Sequence, residues 1–93
     1  MLLINEFDPA TGSMKTLTPA VEGSREADVA WTLDGTLLMV KDDVLYAWRR
    51  EASRWSAIAE LGRMGLHGVT RLAVSSSGDK LALVGLPPAA NAR

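Results

Sequence analysis

The feature that most constrains this chain is an internal repeat. Val29-Ala30-Trp31-Thr32-Leu33-Asp34-Gly35 aligns with Leu72-Ala73-Val74-Ser75-Ser76-Ser77-Gly78 at an offset of 43 residues. The segments after the glycines also match, Leu37-Leu38-Met39-Val40 against Leu81-Ala82-Leu83-Val84, with one extra residue in the second turn. A second pair, Leu2-Leu3-Ile4-Asn5-Glu6-Phe7-Asp8 and Val44-Leu45-Tyr46-Ala47-Trp48-Arg49-Arg50, aligns at an offset of about 42. Each member is followed by a polar turn and then by Met14-Lys15-Thr16-Leu17-Thr18 or Trp55-Ser56-Ala57-Ile58-Ala59. A repeated unit of this size is one supersecondary element that buries its apolar face only against a neighbour.

The punctuation between the repeats selects strands. Pro9-Ala10-Thr11-Gly12, Leu33-Asp34-Gly35-Thr36 and Ser75-Ser76-Ser77-Gly78-Asp79 separate short apolar runs, which is the pattern of antiparallel hairpins. A period near 40–45 residues with four strands per unit is that of a propeller blade. With strands A to D named from the axis outward, the frame is C at 2–8, D at 14–18, A at 28–33, B at 36–41, C at 44–49, D at 54–60, A at 69–75 and B at 80–85. The expected fold is therefore all-β: four-stranded antiparallel β-propeller blades in a C-D, A-B-C-D, A-B frame, an incomplete ring. Residues 1–86 form the two-blade unit, and 87–93, beginning Pro87-Pro88, read as an extended tail. One segment also fits a helix. Leu45, Trp48, Ala52, Trp55 and Ala59 recur at helical spacing between a capping Asp43 and Gly62, and Arg50-Glu51-Ala52-Ser53 carries no turn residue. The repeat favours strands, because the matching stretch 2–18 contains Pro9 and Gly12 and cannot be one helix.

These residues also resemble a known family. Ala30-Trp31-Thr32-Leu33-Asp34-Gly35-Thr36-Leu37-Leu38 is similar to the W-S-P-D-G-x-x-L blade motif of TolB-like, WD-repeat-related β-propellers. Leu72–Val84 resembles the same motif, and Phe7–Pro19 resembles the family's C–D hairpin, D-x-x-T-G-x-x-x-x-L-T. The resemblance spans residues 2–85 and implies the fold rather than an activity. Leu33 and Ser76 stand where the family has proline, and Ser77 where it has aspartate.

Composition then narrows the function. Zero cysteines and one histidine leave no disulfide framework and no Cys/His zinc site, so a chain of 93 residues lacks the usual staples of small domains. A net charge of −1 argues against an electrostatic nucleic-acid binder. No apolar run is long enough to span a bilayer, and the acidic start is not a secretory signal, which makes the cytoplasm the default expectation. His67 has no neighbouring partner in sequence for base catalysis, and Gly62-Arg63-Met64-Gly65-Leu66-His67-Gly68 reads as a flexible loop rather than a phosphate cradle. Asp42-Asp43 reads as turn chemistry, and Arg49, Arg50 and Arg54 as a solvated, edge-protecting cluster. Trp31 should face inward, whereas Trp55 on an outer strand is a candidate exposed contact.

The expectation is a non-enzymatic module for protein interaction or scaffolding, without cofactor or metal. About 4–8 blades close a propeller. The A–B end of one copy would therefore pair with the C–D end of the next, three or four copies giving six or eight blades. The expected partners are other copies or the rest of a propeller, with another protein as a further partner, and neither nucleic acid nor membrane. The alternative is a fragment of an enzyme-associated propeller, such as a hydrolase gating domain or a metal-channel hydrolase. Propeller ligands meet the D–A and B–C loops, here 19–27, 41–43 and 61–68. These make Glu22, Arg25, Glu26, Arg63 and His67 the candidate contacts.

Overall fold

A computed structural model describes residues 1–86. The expected tail at 87–93 lies outside the described residues. Eight strands follow in chain order: β1 (Leu3–Asp8), β2 (Ser13–Pro19), β3 (Val29–Trp31), β4 (Leu37–Lys41), β5 (Val44–Arg49), β6 (Arg54–Glu60), β7 (His67–Val74) and β8 (Leu81–Leu86). All pairings are antiparallel. They make three sheets: β1-β2, a four-stranded β3-β4-β5-β6, and β7-β8. The chain is all-β, and no helix among the described residues is long and apolar enough to cross a membrane.

The helical reading of 43–61 fails. Residues 44–60 form the β5–β6 hairpin, closed by Trp48↔Trp55 and Arg49↔Arg54. Its turn needs a left-handed residue and has no glycine. Ser53 takes that conformation, with φ of 52°. The first hairpin solves the same problem with Gly12 at φ 75°. Both turns are shut by the same backbone bond, Gly12 N–H to Asp8 carbonyl at 2.7 Å and Ser53 N–H to Arg49 carbonyl at 2.8 Å.

The two hairpins match further. Leu3↔Pro19, Ile4↔Thr18 and Asn5↔Thr16 reproduce Val44↔Glu60, Leu45↔Ala59 and Tyr46↔Ala57, so each has a bulge at the same step. Leu17 and Ile58 are the extra residues. This corrects one alignment by a residue: Leu3, not Leu2, is equivalent to Val44, and Phe7 is equivalent to Trp48. The shift matters because one residue along a strand exchanges the two faces. The A–B alignment holds as read. Trp31↔Leu37 corresponds to Val74↔Leu81, and Gly35 and Gly78 both have positive φ in their turns.

The four-stranded sheet is apolar on both faces. Leu38, Leu45 and Ala47 lie on one face and form the core with Leu61 and Leu72, with Val74, Leu81 and Leu83 of the last sheet packed against them. Leu37, Met39 and Trp48 lie on the other face, and Leu37 and Met39 are fully buried. The segment leaving β2 covers this side, where the Val21 N–H meets Met39 Sδ at 3.5 Å and Ala20 is buried. At the far ends of β3 and β7 the two A–B turns touch. A Cβ placed on Gly78 would come within 2.6 Å of Leu33 Cδ1.

Polar contacts between sheets explain three residues read differently above. Arg50 bridges rather than merely solvates an edge: it donates to Glu6 Oε2 at 2.9 Å and lies 5.4 Å from the Trp31 ring centroid. Trp31 is 39% exposed instead of inward. Trp55 is half-buried and donates its indole N–H to the Pro19 carbonyl at 2.9 Å, which ties β6 to the end of β2.

Candidate functional site

The loops at 19–27, 41–43 and 61–68 meet at one end of the sheets. Asp42 and Asp43 form the tight β4–β5 turn with φ of 52° and 61°, a left-handed pair that aspartate tolerates better than most residues. That turn places Asp43 at the centre of the loop cluster. Its carbonyl accepts the Leu61 and Gly62 N–H groups at 2.9 and 3.3 Å. Its carboxylate accepts the Val69 N–H at 3.1 Å and lies 3.6 Å from His67 Nδ1. The backbone N–H of Val69, then that of Gly68 and the nearby His67 imidazole, hold the Asp43 carboxyl below the usual carboxylate range, against a smaller opposing effect of burial.

The segment 61–68 is more ordered than a flexible loop. Leu61–Met64 make a 3-10 turn with Leu61 buried and Gly65 left-handed at φ 92°. His67 and Gly68 already belong to β7.

Against this frame the five candidates separate. His67 faces Asp43 and remains exposed. Arg63 is exposed and pairs with Glu60 at 3.2 Å. Glu22 lies on the exposed first loop and acts through space on Lys41, which stretches across Gly23. The Asp42 carboxylate, 2.7 Å from the Lys41 ammonium, is the main reason that the Lys41 pKa is raised. Arg25 is exposed on the same loop. Glu26 alone enters a cleft of about 560 Å³, together with Asp28, Val40, Thr70 and Arg71. The candidates therefore do not converge on one pocket.

Sequence reasoning found Asp43 as a turn residue but missed Asp28 and the backbone-accepting role of both aspartates at this end. Asp28 accepts the Leu72 N–H at 3.0 Å and joins the start of β3 to β7. Asp28 and Asp43 play one role, an aspartate fixing the backbone of the next sheet. The available signal was their position, each immediately before an apolar strand. Arg71 supplies the basic wall of the cleft and Glu26 the acidic one, an arrangement suited to a small polar ligand or a polar loop. Among the described residues no group of three or more His, Cys, Asp or Glu side chains is placed to hold a metal ion. No family model, curated protein or solved structure matches the chain.

Proposed function

We propose that this chain is a non-enzymatic β-propeller-type repeat module, a scaffold for protein interaction that is completed by assembly with copies of itself. The observation that carries the reading is the correspondence of the flanking sheets to the two halves of the central one. β7-β8 corresponds to β3-β4 in the pair that closes the turn and in the left-handed turn glycine, and β1-β2 corresponds to β5-β6 down to the bulge and the left-handed turn residue. Each flanking sheet is thus half of a four-stranded unit, and each half lacks what the other has. Head-to-tail pairing of such halves gives two four-stranded sheets per chain and closes when the rotation divides a circle. With about 4–8 blades in known rings, two to four copies suffice.

Exposed apolar side chains support assembly. Leu3, Phe7 and Met14 stand on one face of the first sheet, Val84 and Leu86 on one face of the last, and each is more than half exposed. Large apolar side chains exposed on one face of a sheet are the material of interaction surfaces. In such an assembly the loop clefts around Glu26 and Arg71 would be repeated around the ring and would be the recognition surface.

The test is mass in solution, by light scattering on the purified chain. One copy weighs 10.0 kDa. The expected result is a stable species of two, three or four copies. A species that stays at one copy across the accessible concentration range overturns the proposal.

A further inference from the structure

We propose that the free edge of β8 pairs with the free edge of β1 from a second copy in one register, Leu81↔Phe7, Ala82↔Glu6, Leu83↔Asn5 and Val84↔Ile4, with Phe7 seated in the cleft beside β8. The inference rests on the assembly reading above and gives it a specific interface.

The register follows from the chain's own central sheet. There β4 pairs with β5 through Leu37↔Trp48, Leu38↔Ala47, Met39↔Tyr46 and Val40↔Leu45. The hairpin matches make Leu81 equivalent to Leu37 and Phe7 equivalent to Trp48. Substituting equivalents gives the four pairs without any adjustable step. A shift of one residue would put Phe7 on the wrong face.

The cleft is an independent observation. A space of about 500 Å³ opens beside β8, with Leu38, Leu45, Ala47, Ile58 and Leu81 among its lining residues. Leu81 is the residue that the register sets opposite Phe7. Ala47 and Leu45 lie on the central face that a strand added to β8 would cover. Ile58 is 53% exposed and Phe7 is 55% exposed, so both gain burial in the pairing. An aromatic ring packed on aliphatic side chains, beside a strand whose N–H and C=O groups gain partners, is the ordinary chemistry of β-augmentation. A second copy is the occupant because β1-β2 already has the length, bulge and apolar face that the site requires.

Paired cysteines test the register, since the chain has none of its own. Two adjacent pairs, Ala82→Cys with Glu6→Cys and Leu83→Cys with Asn5→Cys, ensure that one falls at a closely spaced position of an antiparallel ladder. The slipped control is Ala82→Cys with Asn5→Cys. After oxidation, non-reducing electrophoresis should show covalent oligomers for at least one matched pair and none for the control. Phe7→Glu should remain folded by circular dichroism and lose the assembled mass. If the parent chain assembles but neither matched pair cross-links, or the control links as well, or Phe7→Glu still assembles, this interface is wrong and the assembly reading survives. If the parent chain is monomeric, both fall.

Discussion

The β5–β6 hairpin and the β1–β2 hairpin share a backbone and differ in their surroundings. Both have a bulge at the same step and a left-handed residue at the same turn position. Yet Trp48 is 4% exposed and its counterpart Phe7 is 55% exposed. Leu45 is buried where Ile4 is only half-buried, and Ala47 where Glu6 forms ion pairs with Lys15 and Arg50. The local code thus sets turn and register, and the neighbouring sheet sets burial. A hairpin can be fully specified and still leave most of its apolar surface uncovered.

The largest expected effect sharpens that contrast. Trp48→Ala should cost about 3–5 kcal/mol, in the range of large-to-small changes in a packed core. Phe7→Ala in dilute solution should cost well under half of that, and its cost should grow with protein concentration if Phe7 is buried between copies. Denaturant melts of both variants at two protein concentrations give the comparison. Equal, concentration-independent losses would break it.

A smaller effect concerns the aspartate that fixes the loops. Asp43→Ala strips the Val69 N–H of its acceptor and should cost about 1–2 kcal/mol, the scale of a part-buried hydrogen bond left unmade. A pH series gives the sign. The Asp43 carboxyl is held below its usual range in the folded chain, so its contribution is present above about pH 4 and fades as acid protonates it. The stability difference between the parent and Asp43→Asn should therefore shrink below about pH 4. A difference that stays constant down to pH 2 would remove the carboxylate from the account.

The smallest effect is at the turn. Ser53→Gly should stabilise by a few tenths to about 1 kcal/mol, because the native φ is one that glycine adopts without a Cβ penalty. Gly12→Ala should destabilise by a similar amount. Thermal melts of the two variants should move in opposite directions.

These differences also show what was legible in the sequence. Strand positions and the A–B alignment could be read because Gly35 and Gly78 mark their turns and the apolar runs between turns are short. The helical alternative for 43–61 persisted because Ser53 does a glycine's work without a glycine's signature. The C-strand alignment slipped by a residue because Phe7 and Trp48 are flanked by dissimilar neighbours, and only the bulge fixes the phase. That the loops carrying Glu22, Arg25, Glu26, Arg63 and His67 share one end was legible because loop order follows strand order, whereas their failure to converge on one pocket depends on side-chain directions that the loop assignment does not fix. Asp28 went unread and Asp43 was legible only as a turn residue, because an acceptor aimed at a distant backbone N–H shows in the sequence as no more than an acid before an apolar strand. The exposure of Trp31 escaped for the same reason, as its partner Arg50 comes from the turn after β5.

The contact between Leu33 and Gly78 reaches beyond packing. Leu33 Cδ1 lies 2.6 Å from where a side chain at position 78 would begin, yet Leu33 is 73% exposed and its tip is free to swing away, so what holds glycine at 78 is the φ of 79° in its own turn. Consecutive sheets are then only loosely keyed to one another at their turns. Any chimera or lengthened array built from this chain must keep a glycine in each such turn for its backbone, whereas the leucine that faces it can be exchanged.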